Sequence, residues 1–397
     1  MNLRADKSGC FLLTALHAFG TTYFFQYILF TLRQEHGFTP ASSLLFCALH
    51  GLVYTISSLQ GGRYAQRKGC TRSIAIGLAG MSASLFAGLW LKTGVGVTTL
   101  MVMWSIFMCF TWPAIEAIAG DEPDRASVAQ SIGIYNLTWS ASACLAYFTG
   151  GALIDLLGPQ SLFYVPASIH LFSLLLLPQL LSADAGKCSP QQVEDGPEPE
   201  AFRQPVSPRA FMKMAWLANP FAYIAINTLP AAVPFLSTQM GFDKVQSGYF
   251  WATWFFVRLA TFALLWRWTG WHYRFRWLLA AFVGLTGSLA VMLLSHEFWL
   301  LLAAQAVFGL STGLLYSSSL FYAMDNGDEK SKHGGLHEAL IGIGICLGPA
   351  AGLAGIAIGN QSSAAAAWPV SASLAVVGLL IIGLLGLLWL RLRGAQR

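Results

Sequence analysis

Residues 182–209 read SADAGKCSPQQVEDGPEPEAFRQPVSPR. The stretch is polar, rich in Pro and mixed in charge, the composition of a flexible linker. Outward from it, in both directions, the chain turns apolar. Of its 397 residues, 55% are hydrophobic and 10% are charged, against about 25% charged in soluble globular domains. So little charge leaves a soluble fold of this size without a surface, and a disordered chain needs the opposite bias. The bulk of the chain is therefore expected to face lipid. A helix that crosses a bilayer needs about 20 mostly apolar residues. Ahead of the linker such runs fall at 10–32, 41–61, 73–91, 97–119, 127–153 and 161–181. Behind it they fall at 214–236, 245–266, 277–295, 298–322, 334–358 and 367–390. Backbone groups in lipid must bond internally, so these runs read as helices. The alternation of a membrane β-barrel is absent. The first run is too long for a signal peptide's apolar region and reads as the first span.

Charge placement sets the expected orientation. With the N-terminus cytoplasmic, Arg33, Lys92 and Lys244 lie outside and Arg258 lies within a span. Every other Lys and Arg of the 23 falls inside. These include Arg4, Arg125, Lys187, Arg203, Lys330, Lys332 and Arg397. They also include Arg63, Arg67, Lys68 and Arg72 after the second span, and Arg267, Arg274 and Arg276 after the eighth. The expectation is an inner (plasma) membrane protein with both termini cytoplasmic. Residues 1–181 would form one six-helix bundle, 182–209 a cytoplasmic linker and 210–397 a second bundle.

The halves resemble one another. Aligning the fifth span on the eleventh sets Gly133 on Gly335, Cys144 on Cys346, Leu145 on Leu347 and Gly150 on Gly352. Tyr135–Asn136 then meets His337–Glu338. A nearly equal shift sets Gly37–Phe38 on Gly241–Phe242, Phe46 on Phe250 and Tyr54 on Arg258. Both halves also place a basic loop after their second span. Parallel repeats of this kind are a transporter architecture with its site between the halves.

The loop after the second span reads Gly62-Arg63-Tyr64-Ala65-Gln66-Arg67-Lys68-Gly69-Cys70-Thr71-Arg72. It resembles the major facilitator superfamily signature G-x-L-A-D-R-x-G-R-K through Gly62, Ala65, Arg67 and Gly69. Tyr64 stands for the usual Leu and Gln66 for the usual Asp. In the family that Asp helps latch the cytoplasmic gate, so the resemblance implies a gating role for Gly62, Gln66, Arg67, Gly69 and Arg72, with an uncharged latch at Gln66. The family's G-P-x-x-G-G pattern is split. Ala146–Gly151 keeps its Gly pair, and Gly348-Pro349-Ala350-Ala351-Gly352 carries the Gly-Pro. The fold implied is all-α, with twelve transmembrane helices in two pseudo-symmetric six-helix bundles. Spans 1, 4, 7 and 10 would line a central cavity.

Ionisable groups inside a span are costly and are candidates for function. Three stand out: Glu116, Arg258 and Glu338. Arg258 lies nine residues from Arg267, roughly 13 Å along a helix, and is the deepest fixed charge. It is expected to hold an anionic or polar substrate or to pair with an acid; the other reading is a structural brace. Glu338, with neighbouring His337, is the candidate for proton coupling; the other reading is a carboxylate favoured by a helix N-terminus. Glu116 reads as a gate or cap near the loop Asp121–Arg125. Polar residues at helical spacing mark faces. They are Gln305, Gly309, Thr312, Tyr316 and Ser319; Asn219, Tyr223 and Asn227; Thr14, His17 and Thr21; and Ser105, Trp112 and Glu116. Such residues also pack helices together. Substrate contacts are expected from Arg258, Asn227, Tyr223, Gln305, Tyr316, Trp112 and His17.

The sequence holds no P-loop, HExxH or GxSxG motif, and its seven cysteines form no CxxC pair. No catalytic residue, metal or other cofactor is expected. No basic stripe suggests nucleic acid, and no filter loop suggests a channel. The reading is a monomeric secondary transporter of a small organic solute, working by alternating access and coupled to protons. The alternative is a non-transporting membrane receptor or scaffold.

Overall fold

The computed structural model describes residues 5–91, 93–122, 125–182, 185, 208–325, 330–359 and 367–394. Most of the expected linker lies outside them. So do Arg4, Lys92, Asp124, Lys187, Arg203 and Arg397, and the side chains of Arg125, Lys330 and Lys332. The helices are α1 (Ala5–His36), α2 (Pro40–Lys68), α3 (Cys70–Gly88), α4 (Gly94–Met108), α5 (Trp112–Ala119), α6 (Arg125–Leu157) and α7 (Ser161–Leu180). They continue as α8 (Pro208–Gln239), α9 (Lys244–Trp251), α10 (Thr253–Arg267), α11 (Phe275–Leu294), α12 (Phe298–Asp325), α13 (Lys330–Ile358) and α14 (Val370–Gly394). No strand occurs among the described residues. Among the described residues, eleven spans are long and apolar enough to cross a membrane. The 32-residue α1 is as long. It is less apolar because Thr14, His17, Thr21 and Thr31 are buried along it.

Two expected spans are not continuous helices. Span 97–119 is α4 plus α5, interrupted at 109–111. Pro113 has no amide to offer the carbonyl of Cys109, and the turn tightens, with Phe110 N bonded to Phe107 O at 3.0 Å and Thr111 N to Met108 O at 3.0 Å. The freed carbonyl presses on α2: a Cβ on Gly61 would stand 2.0 Å from it. Span 245–266 is α9 plus α10, with a tightening at Ala252. The helix starts carry the repeat. Gly37 (φ +64°) and Gly241 (φ +73°) both turn the chain in the left-handed region. Two residues on, Thr39 and Asp243 cap α2 and α9, each in a capping box with the side chain three residues later, Ser42 or Gln246. The aligned positions thus share backbone geometry as well as identity.

Within the first half α1 packs on α6 and α7, and α3 on α4 and α7. Within the second, α12 packs on α8, α10 and α11, and α13 on α8 and α14. The halves meet where α2 lies along α13, where α6 lies along α9 and α10, and where α1 and α2 touch α8. The contacts are close because small residues line them. A Cβ on Gly51 would stand 2.2 Å from Cys346 N, and one on Gly342 would stand 2.7 Å from Thr55 Oγ1.

Candidate functional site

Arg258 sits on α10, and its side chain is buried. Its guanidinium carbon lies 4.9 Å from the ring centre of Trp139 (α6), 5.3 Å from Phe262 and 5.5 Å from Tyr316 (α12). The Tyr223 hydroxyl (α8) is within hydrogen-bonding reach of the guanidinium. The cation therefore stands in a cage built by both halves, stabilised by ring quadrupoles rather than by an acid. Arg258 forms no ion pair among the described residues, where Lys7–Glu122 at 3.2 Å is the pair found. Two of its nitrogens, Nε and Nη2, are buried without a partner. Trp139 is fixed in turn, its Nε1 donating to Asn136 Oδ1 at 3.1 Å.

A second cluster crosses the same interface. Tyr54 (α2) donates to Glu338 Oε2 (α13). Tyr135 (α6) donates to Glu116 Oε1 (α5) at 3.3 Å. The carboxyl groups of Glu116 and Glu338 are themselves within hydrogen-bonding reach. Tyr223 and Tyr316 lie close enough to interact electrostatically with both Arg258 and the carboxyl pair. His337 faces Tyr316, with ring centres 5.9 Å apart, and its Nε2 is buried and unpartnered.

The sequence profile of the Major Facilitator Superfamily matches residues 10–257. The chain belongs to the Major Facilitator Superfamily. Solved structures with a similar fold include the nucleoside transporter NupG (D323A mutant). That match has a TM-score of 0.71 and 14% identity, covering 97% of this chain and 99% of that one. The human organic anion transporter MFSD10 matches at 0.67 with 12% identity, covering 97% and 99%. A bacterial homolog of the human lysosomal transporter Spinster matches at 0.65 with 15% identity, covering 98% and 94%. No curated protein sequence matches significantly. The protein is thus a multi-pass membrane protein with the all-α superfamily fold.

Within that superfamily fold, the residues expected from sequence separate into groups. Arg258, Tyr223, Tyr316, His337 and Glu338 come together, and Glu116 joins Glu338 rather than standing apart at the loop. Asn227 is one helical turn beyond Tyr223 and bonds back to its carbonyl at 3.1 Å. Gln305 is buried on α12 with both amide atoms unpartnered, as is Asn219 on α8. His17 and Trp112 form a different cluster inside the first half. His17 Nε2 is 2.9 Å from Thr111 Oγ1, and its ring packs against Trp112 at 4.6 Å and His170 at 5.5 Å. The hydroxyls of Thr14, Thr21 and Thr312 are spent on carbonyls of their own helices. Gly62, Gln66, Arg67, Gly69 and Arg72 lie where α2 turns into α3. Gly69 has φ +96°, and Arg67 and Arg72 are exposed. Tyr54, Tyr135, Trp139 and Phe262 were not among the expected site residues. The repeat offered a signal for two of them, since it pairs Tyr54 with Arg258 and Tyr135 with His337. Trp139 and Phe262 carry no mark that separates them from the chain's other aromatics.

Proposed function

We propose that the protein is a secondary transporter that moves a small organic solute by alternating access and couples it to protons. The observation that carries the reading is Arg258: a buried cation, caged by both halves, with two unpartnered nitrogens. An unpaired charge in a membrane interior is expensive, and a structural brace would have its donors satisfied. Tyr223, Tyr316 and Gln305, with Asn227 beyond them, supply neutral contacts. Glu338 and Glu116 hold the transported proton, with His337 beside them. The halves rock about this interface, the loop Gly62–Arg72 closing the cytoplasmic side. Both termini are cytoplasmic, in the inner membrane, and the working unit is a monomer.

The test is transport in proteoliposomes loaded with a pH dye, with sugars, nucleosides, organic acids and amphipathic drugs added in turn. A solute-dependent pH change is expected. Arg258→Ala should abolish it while the variant still reconstitutes, and normal transport by that variant removes the anchor. Glu338→Gln should remove the pH dependence of transport, and an unchanged profile sinks the coupling role. If no solute moves and none stabilises the protein, the receptor or scaffold reading takes its place.

A further inference from the structure

The orphan atoms of Arg258 are not an arbitrary pair. Nε–H and the adjacent N–H of Nη2 lie along one edge of the guanidinium, parallel and in its plane. That edge matches the two oxygens of a carboxylate in a bidentate contact. Both nitrogens are buried and unpartnered, although the residue is only 3% exposed. The guanidinium carbon stands over the rings of Trp139, Phe262 and Tyr316, whose ring centres are 5.6 to 5.7 Å from one another. The three rings crowd the group from one side, and the Nε–Nη2 edge is the part left without a polar partner. One cation offers one charge. A dianion such as a phosphate ester would bring a second negative charge toward a region that already holds Glu116 and Glu338. A monoanion leaves the cage neutral.

The geometry points to a monocarboxylate as the substrate, bound side-on by Arg258 through Nε and Nη2, with its organic body against the aromatic wall. This rests on the transporter reading above and narrows it to one chemical class. Alcohols, sugars and nucleosides offer acceptor oxygens but no negative charge to set against the buried cation. An amide has the shape of the acid but offers one acceptor and no charge.

The test uses the full-length wild-type protein in detergent, with benzoate, phenylacetate and hexanoate as probes. Each is compared with its amide and with phenyl phosphate by titration calorimetry. At least one acid is expected to bind, and its amide to bind roughly 100-fold more weakly, the loss that a pair of charge-assisted hydrogen bonds carries. Arg258→Lys keeps the charge but not the fork, and should weaken the acid by about tenfold or more. Its unliganded melting point serves as a folding control. The inference is overturned if an amide or phenyl phosphate binds as tightly as the acid. It is equally overturned if none of the three acids binds. Failure of the transporter reading looks different: an acid that binds the protein yet never crosses the liposome membrane.

Discussion

Tyr54 shows how a single hydroxyl can tie function to fold. Its bond to Glu338 joins α2 to α13, and its ring packs on His50 with centres 6.0 Å apart. His50 is itself held by Ser105 at 2.6 Å. Tyr54→Phe keeps the packing and removes only the donor. Glu338 then loses a hydrogen bond worth about 1.5–3 kcal/mol when the acceptor is charged, so its ionised form is disfavoured relative to the native protein. The expected outcome is a transport pH profile moved to higher pH in a variant that still reconstitutes. An unmoved profile would show that Glu338 does not titrate during transport. Gly51 makes the opposite case, where the side chain must be absent. A Cβ there would meet the Cys346 backbone at 2.2 Å, and backbone has no rotamer to move aside. Gly51→Val should therefore separate α2 from α13 and lower the thermal midpoint, while the same change at Gly378, which has open space around it, should be nearly neutral.

At the level of elements, the break between α4 and α5 is the feature that places Glu116. Thr111 holds the break, its hydroxyl 2.6 Å from Met108 O and 2.9 Å from His17 Nε2. Thr111→Val preserves shape and deletes both bonds, leaving buried groups unsatisfied at about 1–3 kcal/mol. The variant should melt earlier, and unchanged melting would mean the break is held by Pro113 alone. The elements also show where the sequence was readable and where it was not. The spans follow from apolar runs of bilayer length, because nothing but a helix satisfies backbone groups in lipid. The repeat followed from Gly37–Phe38 and Gly241–Phe242, where left-handed turns restrict the residue type. The break at 109–111 was missed because Pro early in a helix and Pro that interrupts one look alike in sequence. The pairing of Glu116 with Glu338 was missed for another reason. Their meeting depends on how α5 and α13 approach across the interface, and helical spacing on either element alone carries no information about the other. For Arg258, by contrast, depth along one helix was enough to single it out.

Over the whole molecule, contacts between the halves occur toward both ends of the helices. At the end where α1 finishes, Arg33 donates to Pro234 O and to Thr238 Oγ1 at 2.7 Å, over the Phe235 ring at 4.3 Å. Gly151 there lies against the backbone of Lys244, where a Cβ would stand 2.3 Å from its carbonyl oxygen. At the other end Gly133 lies against the Trp266 ring, where a Cβ would stand 2.7 Å away. Alternating access requires one set to part while the other holds. A side chain placed in either contact should therefore bias the molecule in a known direction. Gly151→Trp should hold open the end where α1 finishes, and Gly133→Trp should hold open the end where α1 begins. The check is the labelling rate, by a membrane-impermeant thiol reagent, of single cysteines placed at Thr238 and at Arg267. The reporter proteins carry no other thiol. Gly151→Trp should speed labelling at position 238 and slow it at 267, and Gly133→Trp should do the reverse. Both variants should lose net transport, because each blocks one half of the cycle. If both substitutions speed labelling at both ends, the halves have simply come apart, and the interface is then a packing surface and not a pair of alternating gates.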